Sequence, residues 1–148
     1  MTIITRKSVR DQLAQDLETV HGSNVWAVFP YMATKFEGRS PVVRVMNGGS
    51  YRPRVAGISR PTGGSAFRYV VQHFVRYDEA QDEADQAAAE DALDALEQTF
   101  SSFMSDTDQV PGLWKSIEQI DYSEPALVKI GSFQYLLEAF LIEAKING

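Results

Sequence analysis

The sequence predicts an α/β fold of the α+β type: a mixed, mainly antiparallel β-sheet packed by two amphipathic helices, with a long loop or β-hairpin arm. Three observations predict it. The stretches 7–20 and 78–104 each carry apolar residues at three- and four-residue steps along one stripe only, so each needs a surface to lie on. Residues 67–77 alternate with period two between apolar and mixed positions, the pattern of a strand. Short apolar or β-branched runs bounded by Pro and Gly, at 25–29 and 41–46, supply more strands. With 148 residues, 44% of them hydrophobic and 23% charged, the chain fits one ordinary domain with a core of its own.

Lys7 to Val20 forms the first helix, with Val9, Leu13, Leu17 and Val20 as its stripe. Thr5 or Ser8 is placed to cap it, and Gly22 to end it in a left-handed conformation. His21 sits at its C-terminal end, where a cation suits the dipole. Val25 to Phe29 is almost wholly apolar and closed by Pro30, which predicts a short strand buried on both faces or close to it. Tyr31 to Ser40 is a polar, turn-prone connection. Pro41 to Met46 is a second strand, with proline at its permitted first position.

Residues 47–66 hold five of the ten glycines, two prolines and three arginines, with almost no periodic pattern. A connection of that length within a domain is often functional. It is either a hairpin arm from Val45 to Phe67 or a loop that orders only against a neighbour, and both place Arg52, Arg54 and Arg60 at a surface. The strand at 67–77 runs into the second helix, whose stripe is Ala89, Leu93, Leu96, Phe100 and Phe103. Asp78 and Glu79 stand at its start, where carboxylates complement free N–H groups. Its other face holds Asp82, Glu83, Asp85, Glu90, Asp91, Asp94 and Glu97, and no Lys or Arg occurs between Arg76 and Lys115. Leu113 to Ile120 reads as a short strand or a helical turn. Residues 126–131 and 133–146 read as a closing antiparallel pair, although 136–142 has helical propensity.

The net charge of −6 conceals a division. Residues 1–77 carry eleven Lys and Arg against four acids, a net of +7, and residues 78–148 carry three against sixteen, a net of −13. A chain with a basic and an acidic half can pair head to tail with copies of itself, or its halves can neutralise each other within one fold. The chain has no cysteine, which excludes disulfides, thiolate chemistry and sulfur-ligated metals. No run approaches a membrane span, and MTIITRKSVR lacks the apolar centre of a signal peptide, so a soluble protein is expected.

The search for catalytic patterns returns little. Gly48-Gly49 and Gly63-Gly64 lack the remainder of a P-loop or a dinucleotide fingerprint. His21 and His73 have no metal-ligand spacing, and Asp106 and Asp108 lack the rest of a calcium loop. No G-x-S-x-G elbow occurs. The expectation is therefore a protein that is not an enzyme and holds no cofactor or metal. Arg39, Arg44, Arg52, Arg54 and Arg60, with Tyr51, resemble a nucleic-acid patch in composition. A pI near 4.9 and the lack of a binding module argue against that as the main activity.

The order of elements resembles the tail-terminator (tail-completion or minor tail) proteins of long-tailed bacteriophages. The resemblance rests on a first helix with Val9-Arg10-Asp11-Gln12-Leu13-Ala14 and the short strand Trp26-Ala27-Val28-Phe29-Pro30. It continues through Pro41-Val42-Val43, a long variable loop and Arg68-Tyr69-Val70-Val71. The acidic Ala-rich helix with Asp91-Ala92-Leu93-Asp94-Ala95-Leu96 and the closing strand with Tyr135-Leu136-Leu137-Glu138-Ala139-Phe140 complete it. It is a likeness of arrangement, shared with neck and connector proteins. It implies a homo-oligomeric ring, typically a hexamer, that caps the tail tube and meets a head-completion or neck protein, with DNA passing through. Either the interface would join Asp82, Glu83, Asp85 and Glu90 of one subunit to the basic 39–60 region, Arg39, Arg52, Arg54 and Arg60, of the next, or the loop arginines would face the tube protein or the DNA channel. Rival expectations are a head–tail connector, a tube protein, or a small ligand-binding or enzymatic domain.

Overall fold

Two helices lie side by side on one face of a mixed sheet, as their single apolar stripes require. A computed structural model describes residues 4–51, 66–78, 82–106 and 113–146. In chain order the elements are α1 (Arg6–His21), β1 (Ala27–Phe29), β2 (Val42–Tyr51), β3 (Ala66–Arg76), α2 (Glu83–Asp106), β4 (Trp114–Tyr122), β5 (Ala126–Ile130) and β6 (Phe133–Ile146). The sheet runs β1-β2-β3-β6-β4 among the described residues, with β5 pairing the remaining length of β6. Only β1–β2 is parallel; β2–β3, β3–β6, β4–β6 and β5–β6 are antiparallel.

Capping decides where the helices begin. Thr5 and Ser8 close a reciprocal box in which each side-chain oxygen accepts the other's backbone N–H at 3.0 Å. Gly22 ends α1 at φ 56°, a sign that a side chain resists. The second helix starts later than its composition suggests. Asp82 caps it, accepting the Asp85 N–H at 2.9 Å; of the two carboxylates expected at its start, Asp78 lies outside the helix and Glu79 lies outside the described residues. The carbonyl of Asp78 accepts from Gln86 Nε2 at 3.3 Å.

The expected stripe of α2 is the buried one: Ala89, Leu93, Leu96, Phe100 and Phe103. On α1, Val9, Leu13, Ala14, Leu17 and His21 are buried, whereas Val20, expected in the stripe, is 43% exposed. Under the helices, Phe67, Tyr69, Val71, His73 and Val75 of β3 lie beside Leu136, Phe140, Ile142 and Ala144 of β6. Trp114 and Ile117 of β4 extend the same layer. Residues 114–120 are therefore strand rather than helical turn, within β4. Residues 133–146 are strand despite their helical propensity, because both neighbours of β6 offer a ladder.

The second face of the sheet carries its own core. Phe36 and Ala33, from the connection that read as merely polar, pack on Val42, Phe74 and Tyr135. Phe36 is 1% exposed, stacked on Phe29 at 6.0 Å and edge-on to Phe74 at 5.0 Å and Tyr135 at 5.5 Å. The Tyr135 hydroxyl donates to the Arg39 carbonyl at 3.0 Å. Gly38 turns the segment at φ +72°, and a Cβ there would sit 3.0 Å from the Phe133 ring.

Two strand expectations change. Residues 25–29 are not buried on both faces: β1 is a three-residue edge strand in which Val28 alone is buried, and Trp26 is 39% exposed. An edge has one neighbour and α1 covers one side, so an apolar run alone overstates burial. Pro41 stands just outside β2, joined to Ser40 by a cis peptide, and its carbonyl accepts from Trp26 N–H at 2.8 Å. Of the two readings for residues 47–66, the base of a hairpin arm is present, since Ser50 pairs with Phe67 and Tyr51 with Ala66. The tip, residues 52–65, lies outside the described residues.

Because Phe36 is the ring on which the second core closes, Phe36→Ala should lower unfolding free energy by about 3–5 kcal/mol. Denaturant titration should show this with the α1–α2 packing retained in the native state.

Candidate interaction surfaces

The helix α2 presents the acidic face that its sequence promises. Asp82, Glu83, Asp85, Glu90, Asp91 and Asp94 are exposed, and among the described residues no Lys or Arg pairs with any of them. One of the six, Asp82, is also the helix cap, so its carboxylate is already engaged. The repulsion reaches the sheet below. Glu138, on the helix-facing side of β6, has one carboxylate oxygen buried without a hydrogen-bond partner. Burial first, then the charges of Glu97 and Asp94, push its pKa above the usual carboxylate range.

The basic residues of the first half are only partly free. Arg44, counted above as part of a basic patch, is buried: its Nε donates to Gln72 at 2.8 Å and an Nη to the Ala33 carbonyl at 2.6 Å. Its guanidinium lies 4.8 Å from the Phe74 ring centre, so it braces the second core. Arg76 stacks on Phe133 at 4.4 Å, and Arg10 donates to Asn47 at 2.8 Å. Arg68 with Glu143, at 2.9 Å, is the single ion pair joining the basic and acidic halves among the described residues. Internal neutralisation of the two halves is therefore slight there.

Arg39 is exposed, its guanidinium 5.4 Å from the centre of the Trp26 ring. It belongs to the connection between β1 and β2, and among the described residues it makes no ion pair with α2. Arg52, Arg54 and Arg60 lie outside the described residues.

Sequence reasoning missed where apolar surface is left over. Among the described residues the large hydrophobic side chains still exposed are Val20, Trp26, Tyr31, Met32, Ile120, Tyr122 and Leu127. Val20 is on α1; Trp26, Tyr31 and Met32 lie beside β1 and the last three on β4 and β5, so these six fall at the two outer edges of the sheet. No period signals this, because strand order is not written in local pattern.

It also missed a pairing. His21 and His73, on different elements, meet edge to face at 5.8 Å beneath α2, with Phe100 5.6 Å and Phe140 5.2 Å from His73. None of their four ring nitrogens has a hydrogen-bond partner. His21 is therefore no helix-end cation: burial lowers its pKa. Burial, and secondarily His21, lowers that of His73 to about 3. A cleft of ≈ 230 Å³ lined by His21, Asn24, Pro41, Ala92, Ala95, Leu96 and Thr99 adjoins the pair. Another, of ≈ 410 Å³, is lined by Arg76, Lys129, Gln134 and their neighbours. Among the described residues no three His, Asp or Glu are grouped to hold a metal ion. Nor is any helix there long and apolar enough to cross a membrane.

Compared with known proteins, the chain matches no family model and no curated sequence.

The buried imidazoles give the fold an acid limit. The unfolded chain takes protons at both histidines below about pH 6.5, and the fold resists them, so stability present above that value is lost as pH falls. Glu138 works in the opposite sense, favouring the fold below its ordinary pKa near 4.5 and costing stability as pH rises. For His73 alone the loss between pH 6.5 and 4.5 should be about 2–3 kcal/mol. His73→Leu should flatten the acid limb of a pH-stability profile, and Glu138→Gln should raise stability at neutral pH.

Proposed function

We propose that this protein is a structural subunit of a phage or phage-like tail, a ring-forming terminator. It caps the tail tube and joins it to the head or neck. The observation that carries the reading is the exposed acidic face of α2, unpaired among the described residues, in a chain whose first half is net basic. Such a surface answers a basic partner. The resemblance in element order supplies an assembly, a ring between a tube end and a neck protein, in which such a face has a partner. The protein's activity on this reading is binding: subunit to subunit around a ring, one ring face to the tube end and the other to a neck protein. DNA passing through the ring meets it without base-specific contact.

The charged contacts set the conditions. Exposed ion pairs are screened over about 10 Å at 0.1 M salt, so ring formation should weaken as salt rises. Charge reversal at Arg52 and Arg54 should reduce ring assembly or tube binding while leaving the circular dichroism of the monomer unchanged. Light scattering after size exclusion and electron microscopy of purified tail tubes read both effects. Binding confined to tube ends is the expected result. Self-polymerisation into long cylinders would identify a tube protein, and a monomer that ignores tube ends would end the tail reading.

A further inference from the structure

The two outer edges of the sheet differ in every respect that matters for pairing. Along the first, β1 hydrogen-bonds to β2 on one side, and no strand among the described residues lies on the other. Beside it stand Trp26, Tyr31 and Met32, exposed at 39%, 56% and 65%, with Lys35 and Arg39 exposed next to them and Glu37 as the one acid.

The second edge is longer. β4 covers residues 140–146 of β6 and β5 covers 133–137, both running antiparallel to it, so together they form one lane. Ser123 bridges the break, its N–H donating to the Ala139 carbonyl at 2.8 Å and its hydroxyl accepting the Ala139 N–H at 3.1 Å. Ile120, Tyr122 and Leu127 are exposed on this lane, among Glu118, Asp121 and Glu124, with Lys129 exposed on β5 and Lys115 at the start of β4.

Open edges with apolar side chains invite another strand, and folds that remain single usually protect them. Like edges make poor partners here. Two β1 edges would oppose Lys35 and Arg39 to themselves, and two β4 edges would oppose Glu118, Asp121 and Glu124. Unlike edges are complementary in charge, and both are apolar at the centre.

Strand direction permits the contact. β1 runs with β2 and β6, and β4 runs against them, so β1 of one copy meets β4 of the next as an antiparallel pair. Both copies then keep their helices on the same side of a continuous sheet. A contact between unlike surfaces is head to tail and closes into a ring when the rotation allows.

We infer that the partner of the β1 edge is the β4–β5 edge of a second copy of this chain. Trp26, Tyr31 and Met32 pack on Ile120, Tyr122 and Leu127, and Lys35 and Arg39 face Asp121 and Glu124. The inference rests on the proposed ring for its setting. It places Arg39 in the subunit contact and leaves the acidic face of α2 for other partners.

Two charge-reversed chains test it: Lys35→Glu with Arg39→Glu, and Asp121→Lys with Glu124→Lys. Each alone carries like charges on both edges and should need at least about tenfold more protein to associate than the wild type. An equimolar mixture should recover association, in alternating species with even subunit numbers, as read by native mass spectrometry at low salt. Circular dichroism confirms that each chain is folded, and recovery in the mixture confirms it again. Either variant associating like the wild type, a mixture that stays monomeric, or a wild type monomeric at every concentration would overturn the inference. No tail tube is present in this experiment. Edge pairing without tube capping would therefore fell only the terminator reading, and tube binding by an intact monomer only this one.

Discussion

The structure depends on one constraint: strand β3 must be covered on both faces. Its alternation sends Phe67, Tyr69, Val71, His73 and Val75 to one side and Phe74 to the other, all buried. With β2 and β6 hydrogen-bonded along its two sides, β3 is the centre of the sheet. Both helices are drawn to its first face because each has a single apolar stripe and no second use for it. The connection between β1 and β2 is drawn to the other because Phe74 and Tyr135 would otherwise face water. Burial of a ring the size of Phe36 is worth on the order of 2–3 kcal/mol by area alone, enough to hold a short irregular segment in place.

That division of labour explains how charge is distributed. Acids cannot sit under α2, so they collect on its outer face, where they repel one another without local relief. The one carboxylate left beneath, Glu138, has its pKa pushed up by burial and by its acidic neighbours. Basic residues of the first half are instead used structurally: Arg44 under the Phe36 segment, Arg76 on Phe133, Arg68 with Glu143. Arg39, spread over Trp26, is one that stays at the surface. The charge imbalance of the chain is thus largely an imbalance of its surfaces, a property suited to assembly with other molecules.

The histidine pair has a different origin. His21 closes α1 and His73 lies mid-strand, and both are buried only because the C-terminal end of α1 is set down beside β3 under Phe100. Neutral imidazoles serve there as flat core rings. Their cost appears only when acid offers protons that the interior will not hydrate.

Local pattern determined a good deal by itself. The stripe of α2, the capping of α1 by Thr5 and Ser8, the alternation of residues 67–77 and the closing pair of strands all depend on neighbours within a few residues. So does the α+β class with its mainly antiparallel sheet. The exposed carboxylates Glu83, Asp85 and Glu90 were legible for the same reason: no base lies within reach along the chain. What local pattern could not hold was adjacency. Whether an apolar run such as 25–29 is central or an edge depends on which strand lies next to it. Whether Phe36 is loop or core depends on Phe74 and Tyr135, many residues away. Whether His21 is a helix-end cation or a buried ring depends on β3. The tertiary structure decided these, because burial belongs to the packed surface and not to the segment. By the same rule it set the unspent apolar residues at two opposite edges.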